Sequence, residues 1–274
     1  MNIEKKVLNE KETHVIDFKS IGEFHDYLKN TPINDVFRWE ELSSTKVGDR
    51  AERFTGSKSF DEAEELLKNG WKNMSEKLTQ KLKAEENKTQ VMTKRRTVYD
   101  VAGFQCSVPR FLQGIPQSMV NVKNVPVKQK VITIVKSIDY SASISQETII
   151  EESVKALMIV KKIEAQGIKC NLDIALGTCG DKQFFVKLRI KNANERLNVS
   201  KLAFPLVHPS MLRRLMFRFI EVYPDITRSF ANGYGYPANS GQMRKILNKE
   251  DYLIPNILDV DIDKIRGFED LQKN

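Results

Sequence analysis

Apolar residues recur at helical spacing in the first third of the chain. Residues 15–30 predict a strand followed by a helix with a serine cap. Residues 59–71, SFDEAEELLKNGW, predict a second helix, because a serine cap and two early acids precede the apolar stripe and a glycine ends it. A third helix follows. The pattern predicts a small, mainly helical N-terminal unit over residues 15–90, preceded by a frayed N-terminus over residues 1–14, where no pattern is visible.

Short strands and turns are predicted in residues 91–128, which connect this unit to the rest of the chain. Pro109, Pro116 and Pro126 break any long helix there. The segment is too rich in Val, Phe and Ile for an open linker, so we expect it to pack on one of the two parts that it joins.

A strand, a helix and two further strands follow one another in the C-terminal half. The β-branched run VITIVKSI (131–138) indicates a strand covered on both faces. A helix over 143–166 and a parallel strand over 168–176 come next. The alternating residues 183–191 predict a half-exposed antiparallel strand at the sheet edge. This order predicts an open α/β sheet with helices on both faces over residues 129–274.

The last part of the chain adds a few more elements to this sheet. The apolar segment KLAFPLV (201–207) predicts another short strand. Residues 208–224 predict an amphipathic helix that ends at Pro224, and residues 251–258 predict a last strand.

Three polar residues, Asp139, Ser141 and Ser143, end the first strand of this sheet. Such an Asp-x-Ser-x-Ser sequence after a buried strand can hold a divalent cation through its oxygens. The same residues also suit the start of a helix, because a serine hydroxyl caps the first turn and an Asp beside the positive helix end is stabilised without any ion. The sequence leaves both interpretations open.

The order of strand, Asp-x-Ser-x-Ser loop, capped helix, parallel strand and antiparallel strand resembles a von Willebrand A-type domain. That resemblance implies an open α/β sheet whose first loop binds a divalent ion such as Mg²⁺ at the carboxyl end of the strands, where the ion contacts a partner's carboxylate. The implied metal ligands are Asp139, Ser141, Ser143, Thr178 and Asp181. Lys136 and Ser137 interrupt the apolar run before the loop, and the last two ligands lie away from the family's usual position, so the resemblance implies a degenerate adhesion site.

Three further segments, FTGSKSFDEAEELLKNGW, FLQGIPQSM and LAFPLVHPSMLRRLMFRFIE, lie between residues 54 and 221. Together they resemble an uncharacterised family of tailed-phage proteins, which joins a helical N-terminal part to a Rossmann-like C-terminal part. The resemblance implies a phage or prophage origin and a bacterial host, and it assigns no activity. The Lys- and Asn-rich composition fits an AT-rich genome.

The chain carries a net charge of +8 and has an isoelectric point near 9.2. The excess is concentrated in residues 77–96, which hold seven Lys or Arg and two Glu. Because such an excess attracts phosphate, we consider an interface with nucleic acid or an acidic partner. Its candidate residues are Lys94, Arg95, Arg96, Arg213, Arg214 and Arg218. The alternatives are a solvated surface for the first segment and structural ion pairs for the Arg helix.

Other function classes find little support in the sequence. The chain shows no signal segment and no run near the ~18 apolar residues of a membrane span, so we expect a cytoplasmic protein without a membrane partner. Three histidines and three cysteines match no catalytic, zinc or disulfide framework. A Rossmann-like enzyme with its ligand near Asp139 and Thr178 is a third hypothesis.

The leading hypothesis is therefore a non-enzymatic module that binds a protein partner, with Mg²⁺ as the one cofactor that the motifs suggest. The rival hypothesis is nucleic-acid binding during phage DNA handling. Nothing in the sequence defines the oligomeric state.

Overall fold

A mixed β-sheet forms the centre of the computed structural model. The structure describes residues 1–8, 11–35, 37, 42–86, 96–123, 131–141, 144–165, 167–179, 183–225, 234 and 236–255. The strands are β1 (Asn2–Leu8), β2 (Lys11–Phe18), β3 (Arg96–Asp100), β4 (Gln105–Cys106), β5 (Met119–Lys123), β6 (Val131–Ser137), β7 (Lys169–Cys179), β8 (Gln183–Lys191), β9 (Tyr236–Pro237) and β10 (Asp251–Ile254). The helices are α1 (Ile21–Asn30), α2 (Asp49–Thr55), α3 (Phe60–Asn69), α4 (Lys72–Glu86), α5 (Val108–Leu112), α6 (Gln146–Ala165), α7 (Val199–Val207), a π-helical segment (Met211–Met216), α8 (Phe217–Val222) and α9 (Ser240–Ile246).

The central sheet has the strand order β1-β2-β8-β7-β6-β10, and the short β9 pairs with the end of β7. Strands β10, β6 and β7 are mutually parallel. Strand β8 runs antiparallel to β7 and parallel to β2, and β1 closes the far edge in antiparallel pairing with β2. The predicted α/β class and the parallel pairing of 131–138 with 168–176 are confirmed.

The N-terminal residues are paired strands, so the expectation of a frayed terminus over residues 1–14 is wrong for the residues that the structure describes. Strand β2 buries Val15, Ile16 and Phe18 in the sheet. Strand β1 is rich in charge because it is an edge strand, where charged side chains discourage pairing with other chains. Its Lys5 forms an ion pair with Glu12 across the hairpin, 3.0 Å between Nζ and Oε1.

The expectation that β8 forms a half-exposed sheet edge is also wrong. Both of its neighbours, β7 and β2, are hydrogen-bonded to it, and nearly all of its residues are buried. Its basic residues are accommodated by ion pairs: Lys187 lies 3.1 Å from Asp251, and Arg189 pairs with Asp173 through two hydrogen bonds. The alternating pattern thus reflects paired charges on a covered face instead of exposure to water.

Helices cover both faces of the sheet, as predicted, but very unequally. One face packs against α1, α3, α4, α6, α7 and the helix that continues from the π-helical segment into α8, and all of these contribute to one large apolar core. The other face packs against α9, whose Met243 and Ile246 contact Val135, Ala175 and Phe185. The helices within residues 21–86 therefore share their core with the sheet.

The apolar segment 201–207 is part of helix α7, so the predicted strand there is wrong. Asn198 caps the helix by accepting a hydrogen bond from the backbone N–H of Lys201. All residues from Leu202 to Val207 are buried. An element that is buried on every side shows no periodicity, and a short apolar run then cannot be distinguished from a buried strand.

Residues 96–123 form a small sheet of order β3-β5-β4 with the short helix α5 beside it. Short strands were expected in this segment, and so was packing on a neighbouring part of the chain. Within residues 97–122, however, only Ser118 is buried. The apolar content that suggested burial is instead exposed at the surface of this unit.

His208 follows α7 and lies in an apolar environment. Its ring stacks on Phe204 at a centroid distance of 5.1 Å and meets the edge of Trp71 at 4.5 Å. Its Nδ1 accepts a hydrogen bond from the backbone N–H of Ser210, 3.1 Å away. Burial lowers the pKa of His208 to about 4, so the folded protein holds this imidazole neutral.

We expect His208 to make the protein less stable in mild acid. Its pKa is about 6.5 in the unfolded chain, so only the unfolded state gains a proton here as the pH falls from 6.5 to 4. The stability contributed by neutral His208 is complete above pH 6.5 and is lost over that interval, by up to about 3 kcal/mol. Urea unfolding from pH 7 to 4 should therefore show a shallower decline for His208→Asn, which retains an acceptor for Ser210. Parallel declines in both proteins would contradict this assignment.

Candidate functional site

A cavity of about 320 Å³ opens at the carboxyl ends of β6 and β7. Because these strands are parallel, the residues that follow β6 and the last residues of β7 meet at the same edge of the sheet. The described residues that line the cavity are Phe54, Asp139, Tyr140, Ser141, Leu176, Gly177, Thr178, Leu212, Arg213, Phe217, Tyr234 and Pro237. We call it the rim cavity.

Asp139 is fixed at the base of the rim cavity and is 1% exposed. Both of its carboxylate oxygens accept from the backbone N–H of Gly177, at 3.0 and 3.3 Å. Its own N–H donates to the hydroxyl of Ser137. Residue 177 must be glycine, since a Cβ there would lie 2.7 Å from the Cβ of Ala238. The carboxylate thus ties the end of β6 to the end of β7.

Thr178 presents a buried hydroxyl that has no hydrogen-bond partner. The residue is buried and lines the rim cavity directly after Gly177. An unsatisfied buried hydroxyl costs about 1–3 kcal/mol, and such groups are rare in folded proteins. The position therefore suits a ligand atom that can donate or accept a hydrogen bond.

Arg213 supplies a positive charge to the same cavity, although the residue is only 7% exposed. Its Nη1 donates to the carbonyl of Phe54 at 2.6 Å and its Nη2 to the carbonyl of Ser141 at 3.3 Å. The guanidinium also lies over the Phe54 ring, 4.7 Å from the centroid. Among the described residues, no carboxylate lies within ion-pairing distance of it. Burial lowers the pKa of Arg213, and no acidic residue that the structure describes offsets that effect.

An aromatic pair forms part of the cavity wall. The rings of Phe217 and Tyr234 are parallel, with centroids 3.8 Å apart. The Tyr234 hydroxyl donates to Glu221 at 2.6 Å, and burial together with that carboxylate raises the pKa of Tyr234. Glu221 also accepts from the backbone and side chain of Ser44. The buried carboxylate of Glu221 therefore fixes the position of Tyr234 in the cavity wall, and it is already bonded to Ser44 and Tyr234.

The structure brings together three of the five implied metal ligands, Asp139, Ser141 and Thr178, around the rim cavity. The other two, Ser143 and Asp181, lie outside the described residues. Helix capping is provided by Ser145, whose hydroxyl accepts from the backbone N–H of Thr148 at 3.2 Å.

The described residues do not fit a Mg²⁺ ion. Magnesium needs a near-octahedral set of oxygens, and of the implied ligands the described residues bring only Asp139, Ser141 and Thr178 to the cavity. The Asp139 carboxylate is already bonded to Gly177. A divalent ion would also face the Arg213 guanidinium across one small cavity, and like charges repel strongly where little water screens them.

The arginines of the predicted nucleic-acid interface do not form a common exposed surface. Arg214 is completely buried and donates to Ser57 Oγ and to the carbonyls of Ser44, Lys46 and Ser57 at 2.6 to 3.0 Å. Arg218 lies 3.8 Å from Glu221, which agrees with the alternative of a structural ion pair. The prediction that this helix contacts nucleic acid is therefore wrong for Arg214, because phosphate cannot reach it.

The structure describes one of the three remaining basic candidates. Arg96 begins strand β3 in the small sheet, far along the chain from the Arg helix. Lys94 and Arg95 lie outside the described residues.

Sequence reasoning missed the distant residues that complete the cavity, above all Phe54 and Tyr234. Phe54 lies near the end of helix α2, and Tyr234 lies shortly before β9; no ligand-binding motif marks either position. Their only signal is that they are aromatic residues in otherwise polar segments.

Sheet, helical layers and rim cavity define a mixed α/β protein with a ligand-sized cavity at the ends of its parallel strands. The chain belongs to the family described as "Domain of unknown function (DUF7192)", whose model matches residues 4–268. No curated protein and no solved structure matches it. In the part of the chain that the structure describes, no helix has both the length and the apolar character needed to cross a membrane.

Removal of the charge should destabilise the protein much more at Arg214 than at the adjacent Arg213. Arg214→Met should lower the free energy of unfolding by about 3 kcal/mol, because four acceptors lose their donor inside the core. Arg213→Met should change it by less than about 1 kcal/mol, because it also removes a buried charge that has no carboxylate partner. Chemical denaturation of both variants tests this, and a larger loss for Arg213→Met would contradict it.

Proposed function

We propose that this protein is a non-enzymatic binding module of a phage or prophage, and that it holds an acidic group of a protein partner in the rim cavity. The observation that carries the proposal is Arg213, a buried guanidinium that lines the cavity without a carboxylate partner among the described residues. A fold keeps such a charge at a cost in stability unless an anion pairs with it.

The contrast with Arg214 supports this assignment. Arg214 is also buried, but all three of its guanidinium nitrogens donate to acceptors within the protein, and Glu62 and Glu52 partly offset the effect of burial on its pKa. Arg213 has two neutral carbonyl acceptors and, within the described part of the chain, no acidic neighbour. A guanidinium has five N–H donors in a fixed fork, so the remaining donors of Arg213 suit a carboxylate.

The other walls of the cavity suit the rest of such a ligand. Thr178 offers a hydroxyl without a partner, and the stacked Phe217 and Tyr234 offer an apolar surface. A volume of about 320 Å³ lies at the lower end of the range of small-ligand sites, which matches one side chain or a chain terminus.

We interpret the C-terminal part of the fold as von Willebrand A-like, with a degenerate metal site. In the strand order β8-β7-β6-β10, the last three strands are mutually parallel and β8 runs antiparallel to β7. This arrangement supports that interpretation. In such domains a metal ion presents positive charge to the partner's carboxylate. In this chain Arg213 would present that charge, and the protein would act in the cytoplasm of a bacterial host.

A small carboxylate tests the proposal without knowledge of the partner. N-acetyl-L-phenylalanine should shift the NMR signals of rim-cavity residues at millimolar concentration, whereas its uncharged amide should not, because the amide offers no charge to Arg213. Arg213→Met should abolish the shifts, and Arg218→Met, next to Glu221, should retain them. Equal binding of acid and amide would contradict the proposal.

A metal-dependent site would give a different result. If MgCl₂ or MnCl₂ alone raised the melting temperature of the wild type but not of Asp139→Asn, a functional cation site would replace the proposed role of Arg213.

Nucleic-acid binding is the second candidate function, and helix α4 is the observation that favours it. Lys77, Lys81 and Lys83 are exposed along this helix at the start of the basic segment 77–96. Affinity that depends on phosphate contacts must fall steeply with salt. Fluorescence anisotropy with single- and double-stranded DNA at low salt should show no binding under our leading proposal. Salt-sensitive binding that is lost when the three lysines become glutamine would establish the rival.

A further inference from the structure

The small sheet of β3, β5 and β4 with helix α5 exposes most of its apolar side chains. Seven large apolar residues in it are 43% to 78% exposed: Tyr99, Val101, Phe104, Val108, Phe111, Leu112 and Val122. In residues 97–122 no apolar side chain is buried. A three-stranded sheet needs a covered apolar face to be stable in water. Among the described residues, none covers the apolar side chains of this unit. We call residues 96–123 the apolar unit.

Two of the exposed apolar side chains, Tyr99 and Val122, lie on one face of the small sheet. Tyr99 pairs with Val120 and Thr97 with Val122, and directly paired residues point to the same face of a sheet. Arg110 of α5 lies over the Tyr99 ring, 4.2 Å from its centroid. Helix α5, which carries Phe111 and Leu112, is therefore next to the face that carries Tyr99 and Val122.

The exposed area is that of one half of a protein interface. At roughly 100 Å² of apolar surface for each of these side chains, seven side chains present about 700 Å². A standard interface takes about 800 Å² from each partner, and the largest apolar patch on a typical monomer is about 300–600 Å². Summed over the apolar unit, this area is about as large as the area that one subunit of a dimer contributes.

Charge is scarce on the same surface. The apolar unit has four charged residues among 28, Arg96, Asp100, Arg110 and Lys123, whereas 29% of the whole chain is charged. Depletion of charge marks the centre of an interface. An acidic partner would be attracted by many basic side chains, and the apolar unit has few.

We infer that two copies of this chain associate through their apolar units. In a two-fold interface the same patch occurs on both subunits, so each copy covers the exposed apolar face of the other. The outer strands β3 and β4, which pair with no other described strand, would be enclosed in the same contact. This inference rests on residues that are separate from the rim cavity and is independent of the proposed function.

Sedimentation equilibrium of the full chain tests this inference. The wild type should have twice the chain mass of 31.5 kDa. Phe104→Asp combined with Phe111→Asp places charge in the contact and should raise the dissociation constant on the order of a hundredfold or more, to leave the single-chain mass. Val47→Asp, at another exposed apolar residue outside the unit, should remain dimeric. A wild type of single-chain mass at every concentration would overturn the inference and leave a different protein as the occupant.

Discussion

The hydrogen bonds from the backbone of Gly177 to the carboxylate of Asp139 hold the rim of the sheet together. Parallel strands bring their carboxyl ends to one edge, but nothing in the ladder itself fixes the loops beyond it. Asp139 does so, because its carboxylate is buried and bound to the neighbouring strand. The rest of the rim cavity is arranged around this connection, since Ser141 follows from one strand and Thr178 from the other.

A second set of buried polar contacts joins the first part of the chain to the helix after His208. Arg214 donates to carbonyls of Ser44 and Ser57, and Glu221 accepts from Ser44 and Tyr234. Because every buried partner is satisfied, these contacts fix the position of the π-helical segment. Arg213 is the next residue to Arg214 in that rigid segment, and its guanidinium is directed into the cavity by the same backbone. The position of Arg213, the proposed binding group, therefore depends on the structural contacts of Arg214.

The sequence predicts the elements with the clearest hydrophobic pattern. It does not predict elements in which charge or complete burial removes that pattern. The strand β6, helix α6 and strand β7 could be predicted because a β-branched run and a long helical stripe are unambiguous. Strand β1 could not, because an edge strand is rich in charge. Helix α7 could not, because an element buried on all sides has no polar face. The position of Asp139 at a sheet rim was predictable from the topology, whereas Phe54 and Tyr234 reach it from distant segments that carry no ligand-binding motif.

A fixed guanidinium gives the rim cavity different properties from a bound ion. Arginine remains protonated at any physiological pH even when burial lowers its pKa, and it cannot be removed by a chelator. The positive charge is then constant, and recognition depends only on the ionisation of the partner group. A metal site could accept many oxygen ligands, but the fork of Arg213, held over the Phe54 ring, would favour a carboxylate that binds both of its ends. The loss of a metal ion from such a site would therefore narrow the range of partners while retaining the attraction to a carboxylate.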